Sequence, residues 1–236
     1  MHVPVDGTIC IPREAWLHPE LRLHLPALQR MSRTLDEGNH DVDGLHRVLF
    51  TEERAALRWI NNHTVRPGIY TMPFLSPEYC DLLLAEANVM SGYEVNPGEE
   101  IPFQIPELVL QERCITLAEC LSTIFHEVYG PICNVLMGID PTELRTVQFA
   151  KYQPNEVGHG NWHVDVDSDV SVVVSLNPGE FKGGGTDLRT GPLASIEVPA
   201  LPKGHALLFN GKTTLHRGRA VTEGRRDLLV FWSEIK

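Results

Sequence analysis

The residues best placed to do chemistry are His163 and Asp165, within Trp162-His163-Val164-Asp165, and a later His216 followed by Arg226. Two imidazoles and one carboxylate can occupy one face of a metal ion and leave the other face open, which is the ligand set of redox-active non-haem Fe(II). In an extended segment residues i and i+2 point the same way, so His163 and Asp165 can converge on one ion. A turn, a strand and a second turn after Pro202-Lys203-Gly204 deliver His216 to a strand that can lie antiparallel to His163. His205 is the rival, but it opens a strand directly after Lys203-Gly204 and reads as exposed. His159, Asp167 and Asp169 crowd the same stretch, and their loop and turn neighbours mark them as solvated or supporting groups. Arg225-Arg226 opens an apolar run through Leu228-Leu229-Val230-Phe231-Trp232. Alternation turns one of these arginines inward, where its permanently charged fork suits the carboxylate of a co-substrate.

These groups need a β framework to hold them. From Arg145 onward short runs rich in Val, Leu and Phe are punctuated by Gly and Pro. Strands are expected over 145–153, 161–166, 170–177, 185–188, 195–198, 206–209, 214–218 and 226–233. Eight short strands in this order suit a double-stranded β-helix, or jelly roll, with the metal in the barrel mouth. The fold class is therefore mainly β with flanking helices. Ile69-Tyr70-Thr71-Met72-Pro73-Phe74-Leu75 is strand-like, and Ser76-Pro77 opens a capped helix over 76–87. A longer amphipathic helix is expected over 114–129, with Leu117, Leu121, Ile124 and Val128 facing the sheet. Residues 1–66 read as a helical extension that includes Leu45-His46-Arg47-Val48-Leu49-Phe50 and a helix over 51–60 with Thr51 as N-cap and Ala56, Leu57 and Ile60 as its apolar face. Pro67-Gly68 breaks this extension from the domain at 67–236, whose helices lie within 76–130 and whose jelly-roll core spans 145–236.

The 236 residues carry 20 basic and 31 acidic side chains, a net charge of -11. No Lys/Arg stripe could neutralise a phosphate backbone, so nucleic acid is not the expected partner. The acidic balance is compatible with a cationic substrate such as a lysine or arginine side chain, and also with a merely solvating surface. Cys10, Cys80, Cys114, Cys120 and Cys133 are odd in number and lack C-x-x-C spacing, which predicts reduced structural thiols. No secretory signal and no membrane-length apolar run is visible, so the expected location is cytoplasmic, without a membrane partner.

The stretch from Tyr152 through Trp232 resembles the 2-oxoglutarate- and Fe(II)-dependent dioxygenases of the prolyl and lysyl hydroxylase superfamily, most closely the catalytic domain of procollagen lysyl hydroxylases. The motifs are Tyr152-Gln153-Pro154-Asn155-Glu156, His163-x-Asp165, Ser171-Val172-Val173-Val174-Ser175-Leu176-Asn177, Phe181-Lys182-Gly183-Gly184-Gly185-Thr186, Pro202-Lys203-Gly204, His216 and Val221-Thr222-Glu223-Gly224-Arg225-Arg226. The resemblance implies His163, Asp165 and His216 as ligands of Fe(II), and selects Arg226, ten positions after His216, for the remote carboxylate of 2-oxoglutarate. It also implies Tyr152 near the co-substrate, O₂ as second co-substrate and ascorbate as a candidate reductant. The implied reaction is hydroxylation of an unactivated C–H bond of an amino-acid side chain, free, peptidyl or protein-bound, with release of succinate and CO₂. A small metabolite or natural-product intermediate is the alternative substrate, and a non-catalytic jelly-roll binding module the alternative class. Trp162 stands where lysyl hydroxylases commonly have proline, and one extra residue lies between Asp165 and Asn177, so substrate contacts are expected to differ there. The extension before Pro67 could serve as a lid, a substrate platform or a homodimer contact.

Overall fold

The computed structural model describes residues 2–37, 50–98, 100–101, 104–154 and 158–235. The expected helical residues 45–49 and the motif residues Asn155 and Glu156 lie outside the described residues. Twelve antiparallel strands are described. Seven form one large sheet in the order β1 (Thr64–Arg66), β2 (Ile69–Pro73), β9 (His205–Phe209), β5 (Val170–Ser175), β12 (Arg226–Glu234), β4 (Glu143–Tyr152), β3 (Glu107–Val109). The opposing side is built from β10 (His216–Gly218), β7 (Thr186–Gly191) and β8 (Ala194–Val198), with β11 (Val221–Gly224) paired to β6 (Phe181–Gly183). This is the expected mainly β, jelly-roll architecture with flanking helices.

Alternation along β4 and β12 assigns the two faces of the large sheet. Gln148, Ala150 and Tyr152 on β4 and Arg226, Leu228, Val230 and Trp232 on β12 line the interior between the sheets. The intervening Val147, Phe149, Leu229 and Phe231 join the hydrophobic core on the other face. That face is covered by a helix, α5 (Ile115–Met137), which follows the single turn α4 (Leu110–Arg113) and whose Leu117, Leu121, Ile124 and Val128 are all buried. Phe125 stacks on Phe231 at 5.4 Å and Tyr129 meets Phe74 at 4.8 Å. Burying a side chain such as Phe125 contributes roughly 2–3 kcal/mol. The helix was expected to stop at 129 but continues through Pro131. An internal proline costs about 3 kcal/mol, and the buried Ile132 and Cys133 on the next turn offset it.

α3 (Pro77–Val89) starts as its sequence predicts, with the Ser76 hydroxyl accepting from the Tyr79 amide and Pro77 in the first turn. α2 (Thr51–Asn62) also begins where expected, yet its N-cap is Phe50, without a side-chain cap, because Thr51 has already entered the helix. Ala56 and Ile60 are buried as expected, while Trp59 joins them and Leu57 is half-buried. Pro67-Gly68 is not a break but the turn of the β1–β2 hairpin, with Gly68 at φ 84°. α1 (Pro19–Asp36) and α2 pack on each other, and α1 packs on α5, so that Leu21, Leu28 and Ile60 belong to the same core cluster as the large sheet.

Two departures concern the site. No regular strand forms over 161–166; only His163 pairs, in an isolated bridge to His216. The chain turns at Asp165, whose carbonyl accepts from the Ser168 amide, and this ends the ladder after one exchanged pair. β6 and β11 were not anticipated, being three and four residues long and ending on Gly183 and Gly224. All five cysteines are free thiols, Cys10 half-buried and the others buried. Among the described residues no helix is long and apolar enough to cross a membrane.

Candidate metal centre

His163, Asp165 and His216 come together at one point between the sheets, their nearest donor atoms all within 4.8 Å of one another. The backbones of His163 and His216 exchange both amide–carbonyl hydrogen bonds at 2.9 Å, which places the rings side by side, centroids 4.3 Å apart. Asp165 sits at the following turn, tied down by its amide to the Gly211 carbonyl at 3.0 Å. Its Oδ1 lies 3.5 Å from His163 Nε2 and 3.6 Å from His216 Nε2. Its Oδ2 is occupied separately, accepting from Ser171 Oγ at 2.5 Å.

The second nitrogen of each ring determines what the first can do. His163 Nδ1 lies 2.8 Å from the Asn161 carbonyl and His216 Nδ1 lies 2.9 Å from that of Thr214. A carbonyl only accepts, so each Nδ1 carries a proton and each neutral ring turns an Nε2 lone pair toward Asp165. Two lone pairs and a carboxylate oxygen then converge without a donor between them, an arrangement that a cation satisfies. Burial lowers the His216 pKa, favouring the neutral, ligating form. Burial alone would raise Asp165, but in the metal-free cluster a protonated His163 donating to it, the charge of a protonated His216 and the Ser171 hydroxyl outweigh burial and hold the carboxyl below its ordinary value. The donor set therefore fits a divalent metal bound by two Nε2 atoms and one carboxylate oxygen.

Arg226 faces the interior at 5% exposure, across the β4–β12 ladder from Tyr152. One of its N–H groups donates to the Gly185 carbonyl at 2.8 Å, and its guanidinium lies 5.4 Å from the centre of the Tyr152 ring. No carboxylate of the described residues pairs with it, and burial depresses its pKa. A buried guanidinium with most of its five donors unused is costly unless an anion completes it. Burial pushes the Tyr152 phenol up to about 12, leaving it a hydrogen-bond donor at neutral pH. Close packing holds this pair: a Cβ on Gly218 would come within 2.7 Å of the Tyr152 ring. A Cβ on Gly184, at φ +75°, would lie 3.2 Å from Arg226 Cδ and 2.8 Å from the Phe181 ring. Arg225 points outward instead, pairing with Asp227 at 2.7 Å and Asn88 at 2.6 Å.

The other candidates lie elsewhere. His205 is not exposed: it is half-buried against the His18 ring, 5.4 Å away, and burial together with His18 and His63 lowers its pKa to about 4. Asp169 accepts from Lys212, Asp167 is exposed, and His159 lines a different cavity. Sequence reasoning missed Glu107, Gln148 and Ser171. Gln148 stands in phase with Tyr152 on β4 and was readable by alternation, and Ser171 lies on an expected strand. Glu107 had no signal, because the three-residue β3 follows Pro106 in a stretch where no strand was expected. Glu107 lines both the inner cavity and its mouth, its carboxylate accepting from Gln148 Nε2 at 2.9 Å.

No family model matches the chain. The 2-oxoglutarate and iron-dependent oxygenase domain-containing protein ICU11 of Arabidopsis thaliana is 26% identical over 185 residues, 70% of this chain and 45% of that protein. The chain thus spans less than half the length of that relative. A Pseudomonas putida prolyl-4-hydroxylase superposes with a TM-score of 0.57 at 18% identity, covering 75% of this chain and 97% of the other. The non-haem alpha-ketoglutarate-dependent epimerase SnoN of nogalamycin biosynthesis superposes with a TM-score of 0.60 at 18% identity, covering 77% and 83%. At these identities the likeness to solved structures is one of fold. Fold, triad and curated relative together support placing the chain in the superfamily of 2-oxoglutarate- and Fe(II)-dependent oxygenases. The narrower resemblance to lysyl hydroxylases rests on the motifs alone.

Proposed function

We propose that the protein is a dioxygenase that uses Fe(II), 2-oxoglutarate and O₂ to hydroxylate an unactivated C–H bond of an amino-acid side chain, free, peptidyl or protein-bound, with release of succinate and CO₂. One observation carries this reading: the His163–Asp165–His216 cluster and the unpaired guanidinium of Arg226 line a single buried cavity. Bound iron supplies the O₂ chemistry that couples oxidative decarboxylation of 2-oxoglutarate to substrate oxidation. The chain's own residues bind, orient and shield. Arg226 would hold the carboxylate remote from the metal, with the Tyr152 phenol as a further donor beside it. Ser171 retains Asp165 Oδ2 and so leaves Oδ1 to the metal. Leu228, Val230 and Trp232 form the apolar wall that keeps water from the reacting centre.

The mouth favours a basic side chain. Glu107 and Asp167 line it together with the Tyr152 and Trp232 rings, and among its described lining residues there is no Lys or Arg. Carboxylate and aromatic faces together attract an ammonium or guanidinium group. The SnoN likeness favours, as a second reading, a natural-product intermediate as substrate.

Anaerobic titration of the protein with Fe(II) and 2-oxoglutarate tests the chemistry. A metal-to-ligand charge-transfer band is expected in the wild type and not in Asp165→Ala; its absence from the wild type favours a non-catalytic binding module. Under air, mass spectrometry of free amino acids and of Lys-, Arg- and Pro-containing peptides should reveal a one-oxygen gain dependent on 2-oxoglutarate. Gain that persists after chelation of the metal would sink the proposal.

A further inference from the structure

The segment that carries His163 belongs to no regular strand and lies along the free edge of β10. Three backbone contacts hold it there: the Gly160 amide to the Gly218 carbonyl, the Val221 amide to the Gly158 carbonyl, and the reciprocal pair between His163 and His216. His163 is also the least buried of the three clustered side chains, at 39% exposure against 3% for Asp165 and 8% for His216.

A second set of contacts lies on the opposite face. Trp162 points away from the cluster, and two guanidiniums lie over its ring: Arg217, from the residue after His216, at 4.7 Å, and Arg189 of β7 at 5.1 Å. Arg217 is itself anchored, donating through Nε to Asp187 Oδ2 at 2.9 Å, its direct partner across the β10–β7 ladder. The outer contact Trp162–Arg217–Asp187 therefore bridges the same two chains whose inner side presents His163 and His216. We propose that Trp162 is a positioning residue for the metal: its stack with Arg217 and Arg189 keeps the edge segment in register, so that His163 Nε2 stays in reach of the ion. This rests on the reading of His163, Asp165 and His216 as a metal site.

The test is Co(II) titration of the metal-free protein without 2-oxoglutarate, followed by visible d–d absorption, with thermal melting of each metal-free variant alongside. Trp162→Ala is expected to weaken Co(II) binding about tenfold, in the range seen when groups supporting a ligand are removed. Trp162→Phe, which keeps an aromatic face, should recover much of the loss. Arg217→Ala should weaken binding in the same direction, and the double variant should be no worse than Trp162→Ala, since both remove one contact. Arg219→Ala is the comparison: Arg219 pairs with Asp187 and Glu197 on the same face and makes no stack on Trp162, so Co(II) affinity should stay at the wild-type value. Wild-type affinity in both Trp162→Ala and Arg217→Ala overturns the proposal, as does an equal loss in Arg219→Ala. A wild-type protein that fails to bind Co(II) overturns the reading of the metal site itself.

Discussion

At the scale of single residues, the site is a contrast between acceptors and one buried cation. His163, Asp165 and His216 offer lone pairs to one point, while Arg226 offers donors a short distance along the same cavity. The two ends of a keto diacid fit these two ends, which sets a condition on Arg226. Arg226→Lys keeps a positive charge but loses the planar fork and the stack on Tyr152. Its KM for 2-oxoglutarate should rise on the order of tenfold or more, as for loss of one arm of a charge-assisted pair, with a smaller change in kcat at saturation. Steady-state kinetics at varied 2-oxoglutarate check this; an unchanged KM would remove Arg226 from co-substrate binding. The ligand cluster was legible because His163 and Asp165 are two positions apart and His216 stands at a fixed distance from Arg226. Glu107 was not singled out because it enters the cavity alone from a three-residue strand with no short-range pattern to announce it, whereas Gln148 and Ser171 lie on expected strands and only alternation marks the face they take.

Elements hold these residues through contacts that periodicity does not reveal. β12 is legible as a strand, yet the placement of Arg226 at its first position depends on Asn177, two residues past the end of β5. The Asn177 amide donates to the Arg225 carbonyl and to Asp227 Oδ2, each at 2.9 Å, and its carbonyl oxygen accepts from the Asp227 amide at 2.8 Å. Asn177 is fully enclosed, so Asn177→Ala strands buried polar groups at a cost of about 1–3 kcal/mol. Denaturant unfolding should show a lower midpoint with an unchanged slope; stability equal to the wild type would mean that water replaces the amide without loss. The expected strand at 161–166 shows the opposite limit. Its residue pattern reads as a strand, but the turn at Asp165 and the close approach of Gly160 to the Gly218 backbone leave only one bridged pair.

At the scale of the whole molecule, the helices before Pro67 and the barrel share one core, and their seam is lined with histidines. His205 at the start of β9 meets His18, which precedes α1, and burial, then His18 and His63, lowers its pKa to about 4. Burial likewise lowers His18 and His24. An unfolded histidine titrates near 6.5, so between about 6.5 and 4 the unfolded chain binds more protons than the folded one, and stability falls as pH falls through that window. The melting temperature should decline on acidification below about pH 6.5, and His205→Gln should flatten part of the decline; identical pH profiles for the two proteins would exclude His205 as a source. The sequence by itself determined which side chains could share a metal and the material of the fold. His-x-Asp spacing, the period of two in β4 and β12 and the period of 3.6 in α5 are local properties, and physics reads them within a few residues. Tertiary structure alone decided which side chains meet: Arg226 inward and Arg225 outward, His205 at the helical seam, Glu107 in the mouth and Trp162 against Arg217. Each of these depends on which distant strands pair and in what register, and that choice is made by burial of the shared core rather than by any neighbouring residue.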